Sequence, residues 1–173
     1  MSRVSKILAF VLLAVVGCIL FFLLAPENFV PAAGPARPPG IPDGAQLATV
    51  NHIHDGDTLF LTTPDDDNLK VRLLGIGTPE LDECGGPEGT AALSALAPEG
   101  STVYTLADEE PLDQYGRSLL MLWTPDGQLI NLSLVVHGHA ESVFIGANRL
   151  YEEDFEAAEE DAQASSSGIW GGC

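Results

Sequence analysis

The first pattern along the chain is an uninterrupted apolar segment, residues 7–25, that contains no charged residue. As a helix, its nineteen residues would extend about 28 Å at a rise of about 1.5 Å per residue, and the hydrocarbon core of a bilayer is ~30 Å thick. Arg3 and Lys6 precede the segment, which predicts a cytoplasmic N-terminus and an exported remainder. Residues 1–25 are therefore predicted to form a single-pass membrane anchor.

Two alternatives to this anchor also export the chain. One is a cleaved signal peptide, although Ala25-Pro26 lacks the small-x-small pattern of a good cleavage site. The other is lipid attachment at Cys18, although the residues after Cys18 stay apolar. The predicted location is thus the cell membrane with the domain on the extracytoplasmic side, or secretion if the segment is cleaved.

Residues 26–44 hold six prolines and three glycines and have no periodic apolar pattern. Because proline cannot continue a helix and favours an extended backbone, this segment is predicted to be a semi-extended linker. The folded domain is then predicted to occupy residues 45–173.

Beyond residue 44 the pattern changes to short apolar segments separated by turns, which is typical of β-strands. Asp55-Gly56-Asp57 contains the Asp-Gly pair of a tight hairpin and separates the first two segments. The predicted strands are residues 45–50, 58–61, 69–74, 101–107 and 117–124.

Three further segments have helical features. Pro87 and Pro98 bracket an Ala/Leu-rich segment that is predicted to be one short helix. Residues 130–136 alternate as a strand does, yet Asn131 could cap a helix that Gly138 ends, so both assignments stay open. The last segment has apolar residues at helical spacing, namely Tyr151, Phe155, Ala158 and Ala162. Five strands with these helices predict an α+β domain, a small five-stranded barrel capped by helices.

Charge narrows the range of functions. The chain has 25 acidic and 7 basic residues and a formal net charge of −18, and every acid follows the apolar segment. This excludes a basic domain that binds nucleic acid through bulk charge, because such binding relies on clustered Lys and Arg. A catalytic site made of a few specific residues is compatible with this acidic net charge.

Export also makes the cysteines informative. Cys18 lies in the apolar segment, which leaves Cys84 and Cys173 as a pair in an oxidising compartment. A bridge between them would pin the C-terminus to the loop after residue 80, and two unpaired thiols are the alternative.

Three polar clusters are the candidates for chemistry. They are Asp55-Gly56-Asp57-Thr58, the segment Arg72-Leu73-Leu74-Gly75-Ile76-Gly77-Thr78-Pro79-Glu80, and Asp113-Gln114-Tyr115-Gly116-Arg117. Each alone has an ordinary explanation as a turn or a salt-bridged strand residue. In this order and at these separations, they resemble the thermonuclease (staphylococcal nuclease-like) family over about residues 45–173. Cys84 and the C-terminal Gly-Ile-Trp-Gly-Gly-Cys are similar to the exported, disulfide-bearing branch of that family.

The resemblance implies an OB-fold barrel with a calcium-dependent phosphodiesterase site. By this resemblance Glu80 is the general base, while Arg72 and Arg117 clamp the phosphoryl oxygens, for which the planar and permanently charged guanidinium is suited. Asp57 and the backbone carbonyl of Thr78 are the implied ligands of Ca²⁺, which prefers oxygen.

Three weaker contacts follow from the same resemblance. Asp55 would act on the metal through water, the Tyr115 hydroxyl would hold a nucleotide phosphate, and Phe144 would stack on a base. The chain departs from the family at Gly77, where an aspartate usually binds the metal directly, so the calcium site is expected to be weakened. Gln114 and Gly146 likewise replace a lysine and a tyrosine that contact substrate in the family.

The sequence therefore predicts a membrane-anchored, exported, metal-dependent endonuclease that acts on single-stranded DNA or RNA and has no obligate protein partner. The alternative is a catalytically weakened domain of the same fold that acts as a binding module at the cell surface. The arginines and Glu80 favour the nuclease, whereas Gly77, Gln114 and the acidity of the domain favour the binding module.

Overall fold

The structure, a computed structural model, describes residues 38–172. This part of the chain has seven strands: β1 (Gln46–Ile53), β2 (Thr58–Thr62), β3 (Leu69–Leu73), β4 (Ile76–Gly77), β5 (Thr102–Leu106), β6 (Ser118–Trp123) and β7 (Glu141–Ser142). Five of them form a closed barrel in the order β1-β2-β3-β6-β5. The β3–β6 pair is parallel and the other pairs are antiparallel. The predicted five-stranded barrel is thus confirmed.

Three helices of the described residues accompany the barrel: α1 (Gly86–Leu96), α2 (Ile130–Val136) and α3 (Glu152–Ala164). A 3₁₀ turn at Gly168–Gly171 follows them. The helix assignment is therefore the correct one for residues 130–136. All three helices contribute buried side chains to the core, among them Leu93, Leu134 and Phe155.

The capping role predicted for Asn131 is wrong. The N-cap of α2 is Leu129, and it has no side-chain cap. Asn131 is fully buried and its amide joins two strands instead. Its Oδ1 accepts a hydrogen bond from the Leu122 N–H (2.9 Å), and its Nδ2 donates to the carbonyls of Leu74 (2.9 Å) and Leu120 (3.1 Å).

The alternation of side chains in the strands determines which residues reach the outside of the barrel. In β3, Val71 and Leu73 are buried in the core. Because successive side chains of a strand point to opposite faces, Lys70 and Arg72 point outward. The core pattern of β3 thus places Arg72 on the outer face.

A second, two-stranded sheet pairs β4 with β7, and it puts Gly77 opposite Glu141. Each strand has two residues, which is too short for a periodic pattern, so the sequence did not predict this sheet. It holds the segment that follows β3 against the segment that follows α2.

The folded domain begins before residue 45. Ile41, which the sequence assigns to the linker, is buried in the core. The backbones of Pro39 and Gly127 approach so closely that a Cβ on Gly127 would overlap the Pro39 carbonyl oxygen. The end of the predicted linker is therefore packed on the domain.

The predicted anchor and most of the predicted linker lie outside the described residues. Between residues 38 and 172, no helix combines the length and the apolar character needed to cross a bilayer.

Candidate active site

The turn between β1 and β2 carries the first two candidate carboxylates. The Oδ1 atom of Asp55 accepts hydrogen bonds from the backbone N–H groups of Asp57 (3.0 Å) and Thr58 (2.7 Å). An aspartate that closes a turn in this way fixes the backbone that follows it. Asp55 therefore positions Asp57, and its predicted contact with a metal through water stays a prediction.

Asp57 joins three segments of the site. Its Oδ2 accepts hydrogen bonds from the backbone N–H and the hydroxyl of Thr78, both at 3.1 Å, and its Oδ1 accepts one from the Thr58 hydroxyl at 3.0 Å. The Nη1 atom of Arg72 lies 2.6 Å from the same Oδ2. The hairpin turn, β3 and the loop after β4 therefore meet at one carboxylate.

Arg72 also contacts the backbone of β4. Its Nη2 donates a hydrogen bond to the Ile76 carbonyl at 3.0 Å. Its Nη1 is buried and, despite the short distance to Asp57, has no partner in hydrogen-bond geometry among the described residues. The contact with Asp57 is thus an ion pair without a well-directed N–H···O bond.

Burial shifts the pKa of both members of this ion pair, Asp57 and Arg72. It raises the pKa of Asp57, while the charge of Arg72 and the Thr78 N–H act in the opposite direction. Burial lowers the pKa of Arg72, the charge of Asp57 raises it, and the charge of Arg117 lowers it further. An arginine side chain stays protonated in proteins, so Arg72 is a cation at neutral pH.

A tight turn before β6 positions Arg117. The Oδ1 atom of Asp113 accepts hydrogen bonds from the N–H groups of Tyr115 and Arg117, both at 2.9 Å, and its Oδ2 accepts one from the Arg117 Nε at 2.6 Å. This contact with Asp113 uses the Nε atom of the guanidinium. The sequence analysis assigned no role to Asp113, although its spacing of four residues from Arg117 across a glycine turn was the signal.

The two arginines are neighbours in the barrel. In the parallel β3–β6 pair, Ser118 is the register partner of Val71, so Arg117, which directly precedes β6, lies beside the start of β3, two register positions from Arg72. The charge of Arg117 acts on Arg72 strongly enough to lower its pKa. Arg72 and Arg117, each held by one aspartate, form what we call the arginine pair.

Glu80 lies at the rim of the site. It follows Thr78 by two residues, so its backbone is within ~7 Å of the residue that binds Asp57. The Glu83 N–H donates to the Glu80 carbonyl (2.9 Å), and the Glu80 N–H donates to Oε2 of Glu83 (3.0 Å). Gly86 packs so closely on the Glu80 carbonyl that a Cβ would overlap it. The loop is thus fixed, while the Glu80 side chain is exposed.

The predicted calcium ligands, Asp57 and the Thr78 carbonyl, stay a prediction, and their surroundings argue against a tight site. Gly77 supplies no side-chain oxygen, and both oxygens of Asp57 already accept protein donors. The N–H and the hydroxyl of Thr78 donate hydrogen bonds to Asp57. Within residues 38–172, no group of three or more His, Cys, Asp or Glu side chains is placed to hold a metal ion, whereas Ca²⁺ takes about six to eight oxygen ligands.

The two predicted substrate contacts occupy different surroundings. Tyr115 is 76% exposed, and the guanidinium carbon of Arg117 lies 5.6 Å from its ring centroid. Phe144 packs edge-on against Phe155 with the ring centroids 5.4 Å apart, and its ring fills the space beside Gly75. Tyr115 is therefore close to the arginine pair, whereas Phe144 packs against the core, and stacking of Phe144 on a base stays a prediction.

The predicted disulfide has one partner, Cys173, outside the described residues. The neighbours of the two cysteines, Gly85 and Gly172, line one cavity of about 300 Å³. Their shared position is compatible with a bridge between Cys84 and Cys173, and the bridge stays a prediction.

Comparison with known proteins adds an independent line of evidence. The family described as staphylococcal nuclease homologue matches residues 70–172, a range that includes both arginines, Gly77 and Glu80. Thermonuclease from Staphylococcus intermedius is 29% identical over 148 residues, which cover 83% of this chain and 87% of that protein.

Two further relatives are described as endonucleases. Endonuclease YhcR from Bacillus subtilis is 30% identical over 141 residues, which cover 74% of this chain and 12% of that protein. An uncharacterized endonuclease from Haemophilus influenzae is 32% identical over 120 residues, which cover 68% of this chain and 62% of that protein. The similarity therefore extends over most of this chain in each case.

Proposed function

This chain belongs to the staphylococcal nuclease homologue family, and we propose on that premise that it is a nuclease that hydrolyses phosphodiester bonds of DNA or RNA. The observation that carries the proposal is the arginine pair, because Arg72 lies on β3, Arg117 directly precedes the neighbouring strand β6, and each is held by an aspartate. They are two of only four Lys and Arg residues within residues 38–172. Two neighbouring guanidinium groups suit the two non-bridging oxygens of a phosphodiester.

Hydrolysis needs a water nucleophile, a group that accepts its proton, and positive charge where the transition state gathers negative charge. Glu80 is the proposed proton acceptor, because its side chain is exposed on a fixed loop two residues after Thr78, which bonds Asp57. Water attacks phosphorus as Glu80 takes its proton, and the bond to the leaving oxygen breaks. Arg72 and Arg117 donate to the non-bridging oxygens and stabilise the added charge.

Asp57 and Asp113 act as positioning residues in this proposal. Each contacts its arginine at 2.6 Å. An arginine that is held in place loses less conformational entropy when it binds phosphate, so the clamp is formed in advance.

Members of this family are generally calcium-dependent. For this chain, the missing side chain at Gly77 and the engaged oxygens of Asp57 argue against a tight calcium site. The expected dependence of its activity on Ca²⁺ is therefore weaker than the family pattern implies.

The binding-module alternative is not favoured by the comparisons, because the relatives are described as nucleases. It predicts that the protein acts as a binding or interaction module at the cell surface and does not hydrolyse nucleic acid. The same assay separates the two functions.

The assay is hydrolysis of a labelled single-stranded oligonucleotide by the full-length protein, with Ca²⁺ and with a chelator. Glu80→Gln keeps the size of the side chain and removes the proton acceptor, so kcat is expected to fall by about 10²–10⁴-fold. Glu99→Gln changes an exposed glutamate in the loop before β5 and is the matched control, with unchanged kcat. Equal rates for Glu80→Gln and the parent would refute the assignment of Glu80, and binding without turnover in the parent would support the binding module.

The location is a second part of the proposal. The apolar segment 7–25 and the basic residues before it support a single-pass anchor with the domain on the extracytoplasmic side. Cys84 and Cys173 would form a disulfide there. Protease added to intact cells is expected to degrade the domain, and protection of the domain would contradict this location.

A further inference from the structure

A second row of side chains lies next to Arg72 on the outer face of the barrel. Lys70 precedes Arg72 by two residues on β3, so both point outward and their Cα atoms are roughly 6.5–7 Å apart. The strand register places Lys70 beside Phe60 of β2, and Phe60 beside His52 of β1. We call His52, Phe60 and Lys70 the outer row.

The side chains of the outer row are in mutual contact. The ring of His52 stacks on that of Phe60, with the centroids 4.3 Å apart and the planes inclined by 14°. The Nζ atom of Lys70 lies 5.7 Å from the Phe60 centroid. His54, at the end of the hairpin, meets Phe60 edge-on at 6.5 Å. Because His52 and Lys70 are exposed, the row presents an aromatic ring and an ammonium group to solvent.

The outer row adjoins the main concentration of positive charge in the described part of this acidic domain. Of its four Lys and Arg residues, Lys70 and Arg72 lie on this face and Arg117 directly precedes the adjoining strand β6. The fourth, Arg149, pairs with Glu152 at 3.2 Å. Asp57 and Asp113 offset part of the charge of the arginine pair. This face still carries three of the four cations, so it is the most favourable path for a polyanion on this acidic domain.

Carboxylates lie beyond Lys70, at the end of this face that is farther from Arg72. The turn between β2 and β3 contains Asp65, Asp66 and Asp67, all of them exposed. A nucleic acid strand that continued past Lys70 in the same direction would bring its phosphates to these aspartates. The space along the face is therefore limited to about one nucleotide beyond the arginine pair.

We propose that the outer row binds the nucleotide adjacent to the scissile phosphate of a single-stranded nucleic acid. The base stacks on His52, which Phe60 supports from behind, and Lys70 contacts the next phosphate. Single-stranded nucleic acids are bound in this way by aromatic platforms beside cationic groups, whereas the bases of a duplex are already stacked on each other. The proposal rests on the proposed nuclease function and names its substrate class.

The experiment measures binding of a single-stranded oligonucleotide to the full-length protein in the Glu80→Gln background, by fluorescence anisotropy. His52→Ser is expected to weaken binding about tenfold, because stacking of a base on an aromatic ring contributes about 1–3 kcal/mol. Lys70→Gln is expected to reduce the slope of log K against log salt by about 0.7, the value for one phosphate contact on a single strand. Thermal melting of each variant checks that it is folded.

Two matched controls remove the same groups from other surfaces. His137→Ser removes an exposed histidine after α2, and Arg149→Gln removes the cation that pairs with Glu152. Both are expected to bind as the background protein does. An oligonucleotide that contains 2-aminopurine adds a direct readout, since its fluorescence is quenched when the base stacks. That quenching is expected to be lost in His52→Ser and kept in His137→Ser.

The outcomes distinguish this proposal from the nuclease proposal. If the parent cleaves the oligonucleotide but His52→Ser and Lys70→Gln bind as tightly as the controls, the outer row is not a subsite and the nuclease function stands. If Lys70→Gln weakens binding while 2-aminopurine is never quenched, the stacking role of His52 is refuted. If the parent neither binds nor cleaves single-stranded nucleic acid, both proposals fail.

Discussion

Asn131→Ala is expected to lower the free energy of unfolding by about 3–5 kcal/mol. The side chain of Asn131 is fully buried and makes three hydrogen bonds to the backbone of Leu74, Leu120 and Leu122. The Leu120 carbonyl would keep a bond from the Leu74 N–H at 3.0 Å, so the substitution leaves two groups unpaired, the Leu122 N–H and the Leu74 carbonyl. Each buried unpaired group costs about 1–3 kcal/mol, and the cavity that remains adds to this.

Such a loss is a large part of the roughly 5–15 kcal/mol that stabilises an ordinary domain. It is measured by urea unfolding, followed by the fluorescence of Trp123, which is buried in the same core. Asn51→Ala is the matched control, because Asn51 lies partly exposed on β1 and bonds Thr62 and Asp67 at 2.7 Å each. A loss below about 1 kcal/mol is expected there, since water replaces the lost partners. Equal losses at the two asparagines would refute the argument that burial sets the cost.

Three predictions concern the site itself. Arg72→Lys is expected to lower kcat about 10²–10³-fold with a smaller change in KM, because one planar donor to the transition state is lost. Steady-state kinetics check this. An unchanged kcat would contradict the role of Arg72 in binding the phosphoryl oxygens. Gly77→Asp adds a carboxylate whose Cβ would lie 3.2 Å from Val143, and it is expected to make activity respond more strongly to Ca²⁺, with tighter Ca²⁺ binding by calorimetry than in the parent. Burial alone would raise the pKa of Asp113, but hydrogen bonds from Arg117 and Tyr115 lower it from 3.8. The stability that the Asp113 carboxylate contributes is therefore present above pH ~4 and is lost as the pH falls through its lowered pKa. The melting temperatures of the parent and Asp113→Asn should differ at neutral pH and converge in acid. A constant difference across this range would show that the contribution does not come from the charge.

The alternation of apolar residues determined the five barrel strands, because each strand must bury one face. The same pattern placed Arg72 on the outside of the barrel, since Val71 and Leu73 on either side of it are core residues. The Asp-Gly pair at residues 55–56 likewise determined the hairpin turn locally. Motifs that lie within a few residues of each other were therefore predictable, and they led to the correct family.

Other features depend on contacts between segments that are distant in the sequence. Asn131 looks like a helix cap in the sequence, and only its position between two strands makes it a buried hydrogen-bond centre. Two strands of two residues each, β4 and β7, are too short to have a pattern and form because the barrel brings them together. Local spacing carries no information about such contacts.

The sequence by itself determined the strands of the barrel and the candidate residues Arg72, Glu80 and Arg117, because side-chain periodicity and turn chemistry are local properties of the chain. Only the tertiary structure decided that the two arginines adjoin through a parallel strand pair, and that His52, Phe60 and Lys70 form one row. These residues are separated by eight or more positions, and the register between strands aligns them. Register results from the closure of the whole barrel around its core, and for that physical reason no single segment could reveal it.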